Sequence, residues 1–236
     1  MVFEKLEERV IIKGNLALST PLHIGSAKTD IDIGEVDLPV LKDHQEQPYI
    51  PGSSLKGKVR SEAERIARKQ GLPVCRPPDT REMCGSLKNS PNEFCICCRI
   101  FGTAGNNLSV ASKVRFRDAY PNQKIDRTIM RAGVALNRAT AAAARGALYT
   151  IEAIPAGTSF AVEIVTENLS ADEKKMLKAA LHSFADSSLG GASSRGMGKV
   201  ELELHSATVR TPKVYLGEEK EQRIEGQEFQ KWWAGI

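Results

Sequence analysis

Val10-Ile11-Ile12-Lys13-Gly14-Asn15-Leu16-Ala17-Leu18 sets the frame of the fold. Its even positions Val10, Ile12, Leu16 and Leu18 are apolar, while Lys13, Asn15 and the following Ser19 fall on odd ones. A period of two belongs to a strand buried on one face, so a first strand is predicted here. Downstream, Ser53 or Ser54 is expected to cap a helix whose apolar residues Leu55, Val59, Ala63, Ile66 and Ala67 follow helical spacing as far as Gly71. Residues 113–120 return to strand character. Residues 147–154 and 159–166, separated by Pro155-Ala156-Gly157-Thr158, read as an antiparallel hairpin with Phe160, Val162 and Ile164 inward. Ser170 with Glu173 forms a capping box for a last helix, whose stripe Met176, Leu177, Ala180, Leu181 and Phe184 faces a core. A strand with Val200, Leu202 and Leu204 on one face closes the series. The order predicts an α+β fold, a ferredoxin-like (RRM-like) βαββαβ sheet with both helices on one face and the other face free.

Three segments fall outside that plan. Residues 72–105, rich in Cys, Pro, Gly and Asn and without periodicity, read as an insertion that needs a cross-link to hold its shape. Residues 124–146 are basic and alanine-rich, too weakly patterned for a core element, and are expected to protrude as a thumb-like arm. The tail 211–236 is charged and carries Trp232 and Trp233, which can dock on the body or on a neighbour. A chain of 236 residues suits one domain, 1–236, with such insertions. The charged N-terminus without an apolar core, and the lack of any run long enough to span a bilayer, predict a cytoplasmic protein without membrane contact.

Lys and Arg total 33 against 29 Asp and Glu, a net charge of +4, so an anionic partner requires that charge to be clustered. It is: the middle of the chain holds Lys56, Lys58, Arg60, Arg65, Arg68 and Lys69, then Lys113, Arg115, Arg117, Lys124, Arg127, Arg131, Arg138 and Arg145, with few acids between them. Two glycine-rich basic segments stand out, Pro51-Gly52-Ser53-Ser54-Leu55-Lys56-Gly57-Lys58 and Gly190-Gly191-Ala192-Ser193-Ser194-Arg195-Gly196-Met197-Gly198-Lys199. Backbone without Cβ atoms approaches a phosphate closely, and adjacent cations neutralise it, so a polyanion is the expected ligand.

All five cysteines lie between Cys75 and Cys98. Cys75, Cys84, Cys95 and Cys98 have the spacing C-x8-C-x10-C-x2-C, and four thiolates with a tight Cys-x-x-Cys pair suit a structural Zn²⁺ that holds the insertion together. Cys97, between the last pair, is expected to be a spectator, with its replacing Cys98 as a ligand the alternative. The histidines, His23, His44, His182 and His205, are scattered without a Ser or Cys partner, which argues against a catalytic triad.

His23-Ile24-Gly25, Asp37-Leu38-Pro39-Val40, the run from Pro48 to Gly57, Cys98-Arg99-Ile100-Phe101-Gly102 and the run from Gly190 to Lys199 together resemble the RAMP (repeat-associated mysterious protein) backbone subunits of type III CRISPR effector complexes, over about residues 10 to 210. The cysteine insertion and the stretch from Asn137 to Tyr149 look most like III-D-type and related branches, alongside a general III-A-like pattern. The resemblance implies a filament-forming subunit that binds CRISPR RNA and complementary target RNA alongside other effector subunits. A thumb kinks the guide:target duplex, and target RNA is cut beside each kink with Mg²⁺ or Mn²⁺. By motif position the catalytic residue is Asp37, among Asp30, Asp32, Glu35 and Asp43, with Asp32 as the next candidate. The RNA-binding residues implied are His23, Ser53, Ser54, Lys56, Lys58, Arg60, Arg127, Arg131, Arg138, Ser193, Ser194, Arg195 and Lys199. Competing readings are a scaffold that binds the same RNA without cutting, a guide-processing endoribonuclease of the same superfamily, and a zinc-bearing RNA-binding module.

Overall fold

The computed structural model describes residues 5–26 and 36–236. The principal elements are β1 (Arg9–Leu18), α1 (Gly52–Lys69), α2 (Cys84–Leu87), α3 (Ile96–Phe101), β2 (Val114–Phe116), β3 (Ile129–Leu136), β4 (Ala143–Ala153), β5 (Ser159–Glu167), α4 (Ala171–Ala185), β6 (Val200–Arg210), α5 (Pro212–Tyr215), β7 (Gln222–Glu225) and α6 (Gly226–Ala234). Five strands form one antiparallel sheet in the order β2-β5-β1-β6-β7, and β3 with β4 forms a separate two-stranded ribbon.

β1 lies at the centre of the sheet because its alternation gives it one apolar face: Val10, Ile12, Leu16 and Leu18 are buried. β6 carries one extra residue against it. Lys13 pairs with Ser206 and Gly14 with Leu204, leaving His205 between. The bulge changes parity, so the inward-facing series Val200, Leu202, Leu204 resumes at Ala207 and Val209. α1 and α4 pack against each other, with Leu55, Val59, Ala63 and Ala67 of the one and Met176, Leu177, Ala180, Leu181 and Phe184 of the other buried in the same core. Glu62, also buried, joins the helices by accepting a hydrogen bond from Ser183 at 2.9 Å while paired with Lys58 at 3.0 Å.

Ser170 caps α4 with the reciprocal Glu173 bonds of a capping box, as the sequence predicts. α1 begins differently. Its N-cap is Pro51, neither Ser53 nor Ser54 makes a capping bond, and the Gly52 amide donates instead to the Asp118 carboxylate at 2.7 Å. The expected hairpin of residues 147–154 with 159–166 does not form. β4 pairs with β3, and the turn between β4 and β5 is tied to the end of β1 by Gly157 N to Leu18 O at 2.7 Å and Leu18 N to Thr158 O at 2.9 Å. That turn therefore passes the chain from the ribbon to the sheet.

The tail docks on its own body. β7 pairs with β6, Phe229 is fully buried, and Trp232 and Trp233 pack against the core. Lys178 Nζ donates to the carbonyls of Trp233 and Ala234 at the end of α6. Among the described residues, no helix is long and apolar enough to cross a membrane.

Candidate nucleic-acid interface and metal centre

Asp37 lies in an extended segment that runs parallel to β4, where Leu38 bridges to Ile151. The Leu38 amide donates to Thr150 O at 3.0 Å and the Glu152 amide to Leu38 O at 2.9 Å. The exposed Asp37 carboxylate is held at the base of the ribbon: its Oδ2 accepts from Thr150 N at 2.7 Å and Thr150 Oγ1 at 3.0 Å. Asp30, Asp32 and Glu35 lie outside the described residues. Asp43 is engaged in its own turn, accepting from the amides of Gln45 and Gln47.

Beneath this segment sits Glu152, almost fully buried. One carboxylate oxygen accepts from Val40 N at 2.9 Å; the other accepts from Thr128 Oγ1 at 2.7 Å and meets Lys42 at 2.9 Å. Burial alone raises its pKa, but the bonds from Lys42, Thr128 and Val40 outweigh burial and hold it below the usual carboxylate value. The sequence reading missed Glu152; the available signal was a carboxylate between the apolar Ile151 and Ala153 of β4.

The segment from Gly190 to Gly196 is exposed apart from the half-buried Ala192, while Met197 and Gly198 turn inward. Glycine is required at its two ends. Gly190 and Gly198 have φ of 75° and 80°, and a Cβ would fall 2.2 Å from His23 O or 2.0 Å from Leu189 O. His23 is the pillar under this loop: it is 8% exposed, its carbonyl accepts from Gly191 N at 2.8 Å, and its Nδ1 donates to Glu152 O at 2.8 Å. Ser193, Ser194, Arg195 and Lys199 are all exposed. Arg195 Nη1 donates to Tyr149 OH, and its guanidinium lies 5.7 Å from the centre of that ring. Tyr149 directly precedes Thr150 on β4, so the ribbon touches both the glycine loop and Asp37.

The first glycine-rich segment is a helix start, not a loop. Ser53 is exposed on the first turn of α1, with Ser54, Lys56 and Lys58 partly covered. Burial and then the neighbouring Arg60 charge lower the Lys56 pKa. Lys58 is paired with Glu62. Arg60 points into the insertion: it donates to Glu64 at 3.0 Å and Gly102 O at 3.1 Å, with Cys98 Sγ at 3.6 Å. Arg127, Arg131 and Arg138 are exposed, the first on the approach to the ribbon and the other two on β3 and the turn beyond it. The same ribbon exposes Met130, Val134, Leu136 and Leu148.

The Sγ atoms of Cys75, Cys84, Cys95 and Cys98 all lie within 4.8 Å of one another. Cys75 and Cys98 are 3.2 Å apart and Cys95 and Cys75 3.8 Å, the scale of the edges of a tetrahedron around a metal with bonds of about 2.3 Å. The hydrogen bond from Cys98 holds the Cys95 thiol down to about 4. Cys97 stands outside the cluster, fully buried, and burial pushes its thiol up to about 12. The cluster can bind a metal ion.

The RAMP superfamily pattern matches residues 15–201. The CRISPR system Cms endoribonuclease Csm3 of Methanocaldococcus jannaschii is 30% identical, over 98% of this chain and 97% of the relative. The protein of the same name from Methanothermobacter thermautotrophicus is 30% identical over 91% of each chain, and that from Streptococcus thermophilus 28% identical over 88% and 91%. The fold matches a chain in the crystal structure of the Csm3-Csm4 subcomplex in the type III-A CRISPR-Cas interference complex, with a TM-score of 0.59 at 23% identity over 98% of both chains. On the strength of the pattern and of full-length identity, this chain belongs to the RAMP superfamily.

Proposed function

We propose that the chain is a backbone subunit of a type III CRISPR interference complex that binds CRISPR RNA and cleaves complementary target RNA at regular intervals. Relatives named as Csm3 endoribonucleases over their full length support this reading. The single observation that carries the chemistry is the convergence on β4: Thr150 holds Asp37 and the adjacent Tyr149 holds Arg195. A carboxylate and a cation from two separate segments are thereby anchored at the base of one exposed, basic ribbon.

The sheet order β2-β5-β1-β6 with α1 and α4 corresponds to the ferredoxin-like βαββαβ plan, with β7 added at the edge and the ribbon inserted between β2 and β5 as the thumb. On this reading the guide backbone lies against Ser53, Ser54 and Lys56 at the start of α1 and against Ser193, Ser194, Arg195 and Lys199 in the glycine loop. Arg127, Arg131 and Arg138 bind RNA from the thumb. Lys58 contributes charge from its pair with Glu62. His23 acts from below, by supporting the loop, and Arg60 by tying α1 to the insertion.

Cleavage uses the target's own 2′-hydroxyl as nucleophile, so the protein must bend the strand, align that oxygen with phosphorus and neutralise charge. Asp37 is the catalytic residue in this scheme. One exposed carboxylate fits Mg²⁺ or Mn²⁺, which bind proteins through one or two carboxylates with waters and phosphates, and the ion supplies charge neutralisation at the phosphate. Zn²⁺ at Cys75, Cys84, Cys95 and Cys98 has four protein ligands and so serves structure only. A cytoplasmic location and association with further effector subunits and copies of itself complete the reading.

The test is to assemble the complex with Asp37→Ala subunits and to offer precursor guide and complementary target separately, with and without Mg²⁺. Assembly and RNA binding are expected to persist while target cleavage at this subunit's sites falls at least about a hundredfold, as for loss of a central electrostatic group. Unchanged cutting would make Asp37 a bystander; wild-type complex that cuts nothing would favour the scaffold, and one that cuts only precursor the processing enzyme.

A further inference from the structure

We propose that Thr150 is a positioning residue for target cleavage, fixing the Asp37 carboxylate through its hydroxyl; this rests on the reading of Asp37 as the catalytic residue. An exposed aspartate on an extended segment would ordinarily sample several rotamers. Here one of its oxygens, Oδ2, receives two donors from a single residue, the Thr150 amide at 2.7 Å and the Thr150 hydroxyl at 3.0 Å. Both donors are rigid. The amide belongs to β4, whose ladder with β3 pairs Thr150 with Ala132, and β-branching makes the threonine χ1 stiff. The peptide on the other side is fixed as well, since the Leu38 amide donates to Thr150 O.

The neighbouring residue extends the argument. Successive strand residues project to opposite faces, so Tyr149 turns away from Thr150 and packs against the cluster of Ile151, Ala153 and Met197, the last from the glycine loop, while its hydroxyl accepts from Arg195. The ribbon residue that holds the acid thus follows the one that holds the cation. Any shift of β4 moves both together. Displacing a reacting group by about 1 Å costs on the order of a hundredfold in rate, which sets the scale of what a lost anchor does.

Thr150→Val keeps the shape, the strand preference and the backbone amide bond, and removes only the hydroxyl. Thr150→Ser restores that hydroxyl. In reconstituted complexes carrying guide RNA, single-turnover cleavage of target should fall about tenfold or more in Thr150→Val with target affinity within about twofold of wild type, and Thr150→Ser should recover to within about threefold. Asp37→Asn is run alongside. Wild-type cleavage by Thr150→Val beside an inactive Asp37→Asn would overturn the positioning role and leave Asp37 standing. A Thr150→Ser variant as slow as the valine variant, or a loss confined to affinity, would also overturn it. Active Asp37→Asn would remove both assignments.

Discussion

Glu152 joins Lys42, Thr128 and the Val40 amide through its carboxylate, while its carbonyl takes the His23 ring. It therefore fixes the Asp37 segment and the floor of the glycine loop at once. Glu152→Gln keeps the outline and loses the charge, and should cost about 2 kcal/mol at pH 7, the scale of a charged hydrogen bond. Because the folded carboxyl is held below its usual value, that stability is present above the unfolded pKa of about 4.3 and disappears as the pH falls through the folded value. Urea denaturation at a series of pH values checks this: the gap between wild type and variant should close toward pH 3, and a gap independent of pH would rule the explanation out. At this scale the sequence was legible where a motif carries its own spacing, as for the four cysteines that the fold brings together. It was silent on Glu152, Thr150 and Tyr149, whose roles arise from contacts between residues more than 40 positions apart.

Among the elements, those with a complete local signal were readable: β1 from its alternation, α4 from its capping box and apolar stripe. The pairing of β4 was not, because a Pro-Ala-Gly-Thr turn between two alternating runs has the local signature of a hairpin whether the strands join each other or diverge. The start of α1 escaped for a related reason, its first amide being held by the distant Asp118 rather than by a nearby serine. Within α1, Gly57 is exposed and an added Cβ would meet nothing within 4 Å. A mid-helix glycine costs about 1 kcal/mol relative to alanine, and packing inside this chain does not require it. On the proposed reading, approach of an RNA backbone to that part of the helix does. Gly57→Ala should therefore raise stability by about 1 kcal/mol in denaturation while weakening guide RNA binding several-fold in a titration. A stabilised variant with undiminished RNA affinity would take α1 out of the interface.

For the molecule as a whole, the insertion is the part whose irregular chain is gathered by its cysteine cluster. The cysteine cluster reaches α1 through Arg60, so a metal there would brace the helix that begins the proposed RNA surface. About one zinc per chain is expected by elemental analysis, with less than about half counting against the site. Stripping it with a chelator should lower the melting midpoint by at least about 4 °C, the shift that about 2 kcal/mol produces in a domain of this size. The tail needs no such aid, since β7 and α6 close over the sheet through Phe229 and the two tryptophans. Its placement has a further result for how copies of the chain can line up. Of the two borders of the sheet, one is the three-residue β2 and the other the four-residue β7; the uncovered half of β6 bears Glu201 and Glu203 and ends in the bulge at His205. Short, charged and kinked margins are poor templates for backbone zippering. Subunits of this shape are poorly suited to growing one continuous sheet, so on the proposed reading their stacking rests on side chains and on the guide RNA they bind.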